Sequence, residues 1–286
     1  MATVYEIVTD RIIKQLEAGT IPWRKPWNSA YVQGQGEGPV SWDTQRPYSG
    51  VNLLLLDPGE YATYNAIQAA GGHVKKGEKA SIAVFWKMNR VQDENDPDKE
   101  KLIPFLRYYS VFEINTQAEG LSSKRAKAEE HKNSPIEEAE RIISNMPNRP
   151  SIVNGKDALY RGSTDTVEIP TRSSFINSEA YYGTLFHELA HSTGHESRLN
   201  RPIKNRFGTD PYAKEELVAE IGAAFLAAVA RLENPFTIEN SGAYIQSWIR
   251  RFRDDSRLIV TAASQAQKAA DYIRGIKQAK GEEQAA

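Results

Sequence analysis

His187 and His191 stand four residues apart, with Glu188 between them, in the pentapeptide His187-Glu188-Leu189-Ala190-His191. On a helix of 3.6 residues per turn this spacing is about 40° past a full turn, so both imidazoles leave one face. Two imidazoles on one face can hold a zinc ion, and the carboxylate beside them can serve as a base without being a ligand. That is the pattern of a zinc-peptidase site. The chain has no cysteine, so disulfides and thiolate ligands are excluded and a transition metal must be held by His, Asp or Glu. Three of its five histidines (187, 191 and 195) fall within nine residues, which favours a site over unrelated surface histidines. Zn2+ is the expected metal, with Mn2+ or another divalent transition metal as the alternative. Such an ion polarises a carbonyl and acidifies water, while Glu188 takes and returns the proton.

A catalytic site needs a third protein ligand and leaves the fourth position open. In one class of these peptidases the pattern continues HExxHxxGxxH. Gly194 fits it, but the third histidine would fall at Ser197, so the match fails. The other class takes a glutamate from a second helix, and Glu215, Glu216 and Glu220 lie at the right distance along the chain. Glu216, Ala219, Glu220 and Ala223 share one helix face, and Glu215 is displaced toward another side. A carboxylate among Ala and Leu calls for a cation. Glu216 is therefore expected as the third ligand, with Glu220 one turn on as the carboxylate that orients a ligating histidine; the reverse assignment stays open. Tyr182, His195 and Tyr212 are near enough in sequence to stabilise an oxyanion, and spacing does not choose among them.

Two helices must position these groups. Ser178 is the expected N-cap of the first and Gly194 its end, with Leu185, Phe186, Leu189 and Ala190 as its apolar back. A strand within Ala158 to Pro170 would form the rim of the cleft, where an extended peptide could pair. Upstream of these, Ile136–Asn145 reads as a helix and Ile152 and Val167 as centres of a strand pair. The amino-terminal half opens on a helix whose apolar stripe is Val4, Val8, Ile12 and Leu16, closed by Gly19. The stretch from Ile21 to Pro47 lacks periodicity. Tyr61–Ala70 reads as a helix, Ala80–Met88 and Phe105–Ile114 as the strands of a hairpin, and Asp93–Lys101 as its charged tip. Residues 122–135 have almost no large apolar side chain and form the expected linker. These elements make an α+β chain of two domains, residues 1–125 and 136–286, joined by residues 126–135.

Basic residues accompany aromatics repeatedly in the first domain: Trp23-Arg24-Lys25-Pro26-Trp27, Arg46-Pro47-Tyr48, Phe85-Trp86-Lys87 and Arg107-Tyr108-Tyr109, with a further basic run from His73 to Lys79. Single-stranded nucleic acid is bound by cations along the phosphates and by aromatic faces against the bases. Trp23, Arg24, Lys25, Trp27, Arg46, Tyr48, Lys75, Lys76 and Lys79 are the expected contacts. Overall charge does not help, because residues 1–125 hold 15 basic and 15 acidic side chains; binding would rest on a local patch.

Several longer runs resemble one family. Trp23-Arg-Lys-Pro-Trp27, Arg46-Pro-Tyr-Ser-Gly-Val-Asn52, Gly71-Gly-His-Val-Lys-Lys-Gly-Glu78, the run from Tyr181 to Gly194, and Glu216-Leu-Val-Ala-Glu220 are similar to the ArdC-type antirestriction proteins of plasmids, conjugative elements and phages. The resemblance covers nearly the whole chain. It implies an N-terminal single-stranded-DNA-binding domain and a C-terminal zincin-like metallopeptidase domain. It further implies protection of incoming DNA from host restriction, with a metal on His187, His191 and Glu216 and with Glu188 catalytic, a gluzincin-like set.

The net charge is −1, there is no signal-peptide-like start, and no apolar run approaches the roughly 20 residues that span a bilayer. The expectation is a cytoplasmic protein without a membrane partner. Its expected partners are single-stranded DNA and a protein substrate, a restriction enzyme or another DNA-bound protein. The competing function is a non-catalytic protein that shields DNA and whose metal site is structural or vestigial. The intact Glu188 favours catalysis, because a structural zinc is usually closed by four protein ligands and has no use for a base.

Overall fold

Thr3 starts the first helix. Its hydroxyl accepts from the Glu6 amide, while the Glu6 carboxylate accepts from the Thr3 amide at 2.6 Å, a reciprocal cap that satisfies two otherwise orphan donors. The structure, a computed structural model, describes residues 2–24, 38–93, 96–125, 135–202, 210–233 and 242–276. Helix α1 runs Val4–Glu17, buries Val8, Ile12 and Leu16, and is followed by Gly19 at φ 79°. A 3-10 turn, Pro22–Arg24, and strand β1, Pro39–Ser41, lie within the aperiodic stretch. The apolar run after it forms α2, Asn52–Leu55.

The expected helix over Tyr61–Ala70 divides into β2, Gly59–Thr63, and α3, Tyr64–Ala69. Thr63 is the reason: its hydroxyl accepts from the Ala66 amide and starts the helix there, leaving the residues before it to pair with a neighbouring strand. After β3, His73–Val74, the hairpin strands β4, Ser81–Asp93, and β5, Asp96–Glu113, are longer than their apolar patterns suggest. Backbone pairing continues through most of the charged stretch, since ladder hydrogen bonds do not depend on side-chain polarity. Helix α4, Ile114–Gln117, and β6, Ala118–Glu119, complete this half. The main sheet has the order β1-β2-β5-β4, and β3 pairs with β6. Most of the expected linker, residues 126–134, lies outside the described residues.

The second half begins with α5, Pro135–Ser144. Strands β7, Ser151–Asn154, β8, Leu159–Arg161, and β9, Thr166–Ile169, form a sheet in the order β7-β9-β8. Ile152 and Val167 face each other in its parallel pair. Helix α6, Ser178–Ser192, carries the histidines. Its cap is Asn177, whose side chain accepts from the Ala180 amide at 2.7 Å, and not Ser178, which is already helical. Then follow α7, Asp210–Ala230, α8, Gly242–Asp254, and α9, Leu258–Ile273. Every residue of α7 from Ile221 to Ala230 is buried, which places this helix at the centre, as expected for one apolar all round. At Gly222 an added Cβ would lie 3.3 Å from Ala190 Cβ, so the missing side chain lets α6 and α7 approach closely.

One hydrophobic core joins the halves, combining Val8, Trp23, Leu54 and Val84 with Phe186, Leu217, Phe252 and Ile259. The architecture is α+β. Among the described residues no helix is long and apolar enough to cross a membrane.

Candidate metal centre

The close contact of α6 and α7 brings three side chains together. His187 Nε2 and His191 Nε2 are 3.1 Å apart, and each lies 3.6 Å from an oxygen of Glu216. The potential ligand atoms of these three residues all lie within 4.8 Å of one another. Bonds of about 2.0–2.1 Å to a tetrahedral zinc put neighbouring ligand atoms about 3.3–3.4 Å apart, so the observed spacings bracket those of such a site. The donor set, two imidazoles and a carboxylate, fits zinc and manganese(II) alike.

Electrostatics agree with the geometry. Burial lowers the pKa of His187, but its hydrogen bond to Glu216 and the charges of Glu188, Glu216 and Glu220 outweigh it and hold the pKa above its ordinary value. Burial likewise opposes ionisation of Glu216, and its contacts with His187 and His191 overcome this and keep its carboxyl below the usual range. Glu188 is buried and lines a cleft of about 670 Å³ together with the three residues of the cluster.

Glu215, one residue before Glu216, is turned toward the other side of the histidine pair. Its Oε1 lies 3.3 Å from His191 Nδ1, and both its oxygens accept from Arg201, at 2.7 and 3.1 Å. Arg201 also donates to the Thr193 hydroxyl and to the Ala190 carbonyl. This buried network ties α7 to the end of α6 and fixes the ring that carries His191. At His191 the orienting carboxylate is Glu215; Glu220 accepts from Trp23 Nε1 at 2.9 Å and from the Tyr244 hydroxyl, and its charge helps raise the pKa of His187. Nothing local in the sequence marks Arg201. Glu215 is marked only by its place beside Glu216, about 100° around the helix.

Of the three residues near enough in sequence to serve an oxyanion, Tyr212 lines the cleft. It bonds Glu216, and burial followed by that bond pushes its pKa up to about 12. Tyr182 is fully buried and donates to Glu140. His195 Nδ1 is 2.8 Å from Ser197 Oγ, so the residue at the failed third-histidine position holds His195 outside the cleft lining. The rim is formed by residues 158–163, which include β8, the edge strand of its sheet. Arg198 pins this rim, donating to Asp165 at the β8–β9 turn and to the Ser192 carbonyl at the end of α6.

The expected DNA contacts divide. Trp23 is corrected outright: it is fully buried, edge-on to Trp248 and Phe252 at 6.0 Å from each, with its indole N–H on Glu220. A ring enclosed in this way cannot meet a base. Tyr48 is half-buried against Tyr61, and burial pushes its pKa up to about 12. Lys75 donates to the Thr116 carbonyl at 2.7 Å. Arg46, Lys76 and Lys79 are exposed. The backbone of Arg24 belongs to the 3-10 turn, and Lys25 and Trp27 lie outside the described residues.

Comparison with known proteins places both halves. Residues 2–112 match the N-terminal domain of anti-restriction factor ArdC, and residues 137–265 match the zincin-like metallopeptidase family. The chain is 34% identical to the uncharacterised protein y4eC of Sinorhizobium fredii over 94% of this chain and 91% of that one. It is 34% and 33% identical to two Escherichia coli DNA primases TraC, covering 96% and 98% of this chain but only 20% and 28% of theirs. Crystal structures of the antirestriction ArdC protein from the R388 plasmid, one metal-free and one Mn(II)-bound, superpose with TM-scores of 0.73 and 0.74 at 34% identity, over 96% of this chain and 97% and 98% of those. Matched along almost its entire length, and with the paired helices of a zincin-like domain at its centre, the chain belongs to the ArdC antirestriction family.

Proposed function

We propose that this protein is a zinc-dependent peptidase tethered to single-stranded DNA, which protects the DNA of an incoming mobile element from host restriction. The observation that carries the peptidase reading is the convergence of His187, His191 and Glu216 beside the unligated carboxylate of Glu188 in one cleft. The Mn(II)-bound relative supports a divalent ion there. His187, His191 and Glu216 would hold it; when bound it supplies Lewis acidity to a substrate carbonyl and to water.

The chain's own residues do the rest. Glu188, beside the cluster and unengaged as a ligand, accepts a proton from the attacking water and returns it to the leaving amine. Glu215, braced by Arg201, keeps the His191 ring at its angle. The Tyr212 hydroxyl, bonded to Glu216 and lining the cleft, is placed to turn from that carboxylate toward a developing oxyanion. The edge of β8, unpaired by any strand among the described residues, offers backbone hydrogen bonds to an extended peptide. The protein substrate belongs among DNA-bound proteins, restriction enzymes included.

Glu188→Ala tests the reading. The variant should retain stoichiometric metal by elemental analysis and lose hydrolysis of an unstructured protein substrate by roughly 10²–10⁴-fold. Restriction protection by variant and wild type is then compared at equal DNA occupancy. Equal protection would favour simple shielding of the DNA, and peptidase activity surviving in the variant would sink the assignment of Glu188.

A further inference from the structure

With Trp23 buried, the stacking surface of the amino-terminal half must lie elsewhere, and three of its four exposed rings among the described residues, Phe105, Tyr108 and Tyr109, are on β5, with Tyr64 on α3 as the fourth. In this antiparallel ribbon Ala83 faces Tyr109, Phe85 faces Arg107 and Lys87 faces Phe105. Directly opposed residues share a face and alternate residues repeat it, so Phe85, Lys87, Phe105, Arg107 and Tyr109 stand on one side. Phe85 and Tyr109 confirm this by stacking at 4.5 Å with an interplanar angle of 3°. Phe105 is 45% and Tyr109 55% exposed, although large aromatic side chains usually go inside. On the opposite face Val84, Trp86 and Leu106 pack on the main core, with Tyr108 and Met88 exposed beside them, so the Phe105–Tyr109 side is the one that no part of the core among the described residues covers along Phe85, Lys87 and Arg107. Strand β2 reaches only the 111–113 end of β5, so the ribbon projects past the sheet.

We propose that this face is the surface on which single-stranded DNA stacks. The inference rests on the DNA-binding part of the function proposed above and supplies its location. Residues on one face of a strand repeat every 6.6 Å or so, about twice the 3.4 Å rise of stacked bases. Rings at that spacing suit bases drawn out of their stack, and a duplex offers none. Charge is complementary as well. Residues 81–88 and 105–110 contain Lys87 and Arg107 and no acid. The acids of the distal ribbon begin at Glu100, opposite Gln92 and five residues from Phe105, or about 17 Å along the strand, well past the ~8 Å screening length at physiological salt.

The test is fluorescence anisotropy with a labelled oligo(dT), using the full chain. Phe85→Ala, Phe105→Ala and Tyr109→Ala should each weaken binding roughly tenfold. Lys87→Gln and Arg107→Gln should each lower the slope of log affinity against log salt by about 0.7. Tyr64→Ala, which removes an exposed ring from α3, should leave affinity unchanged, and a duplex competitor should displace poorly. Photocrosslinking of the unsubstituted protein to an iodouracil oligonucleotide should map to β4 and β5, which decides the matter even if an alanine variant does not fold. Folded variants that bind like wild type, or crosslinks confined to other segments, would overturn the ribbon surface and leave DNA binding standing. A wild-type chain without affinity for the oligonucleotide would overturn both.

Discussion

In the metal cleft the potential ligands are held by neighbours on both helices, whereas on the β4–β5 ribbon Phe105 and Tyr109 stand largely in solvent. His191 is braced by Glu215, Glu215 by Arg201, and Arg201 by the end of α6. Phe85 leans on Tyr109 and both face outward. The difference follows from what each region would recognise. A metal ion tolerates displacements of a few tenths of an ångström, so its ligands need support on every side. Stacked bases accept a ring over a wide range of offsets, and a strand that must slide gains nothing from rigidity.

This contrast is open to attack at several points. The largest effect is expected from Glu216→Ala, which removes a ligand: metal affinity, followed by competition with a chromophoric chelator, should fall by well over a hundredfold. Glu215→Gln should cost about 10–100-fold, the usual penalty for disturbing a group that orients a ligand. An equal loss for both variants would mean that Glu215 is itself a ligand. Trp23→Phe should leave oligonucleotide affinity unchanged and reduce stability by about 1–3 kcal/mol in a denaturant titration, because Glu220 loses a buried donor. A weakened DNA complex without a stability loss would return Trp23 to the DNA surface. The smallest change is expected at Lys75, whose ammonium already serves Thr116: Lys75→Gln should lower DNA affinity less than Lys76→Gln, whose side chain is exposed.

The same contrast explains what could be read from the sequence. His187, Glu188 and His191 are a local pattern, so helix geometry alone put the two imidazoles on one face with the carboxylate beside them, and the run of small residues after Glu216 announced a second helix packed against the first. The partner of His191 was harder, because Glu215 and Glu220 are both glutamates near Glu216 and only the rotation of α7 against α6 distinguishes them. Arg201 was beyond reach, since a cation eleven residues past Ala190 meets it only through the fold. Aromatic composition misled at Trp23. An indole flanked by Arg and Lys looks like a nucleic-acid contact, but tertiary packing against Trp248 and Phe252 decided its place. The division of Tyr61–Ala70 had a visible signal in Thr63, a β-branched residue well suited to end a strand and cap a helix.

The hydrogen bond from Trp23 to Glu220 also bears on how this gene segment can be rearranged. Residues from the ArdC-type half complete the interior of the zincin-like half, and the Thr9 hydroxyl is bonded to the Ser256 carbonyl besides. Cutting between them would bare Phe252 and Trp248 to water and strip the Glu220 carboxylate of one of its two donors. The two halves therefore share one interior, and separating them would cost both. The TraC primases match nearly this entire chain, both halves together, within much longer proteins, as a shared interior would require.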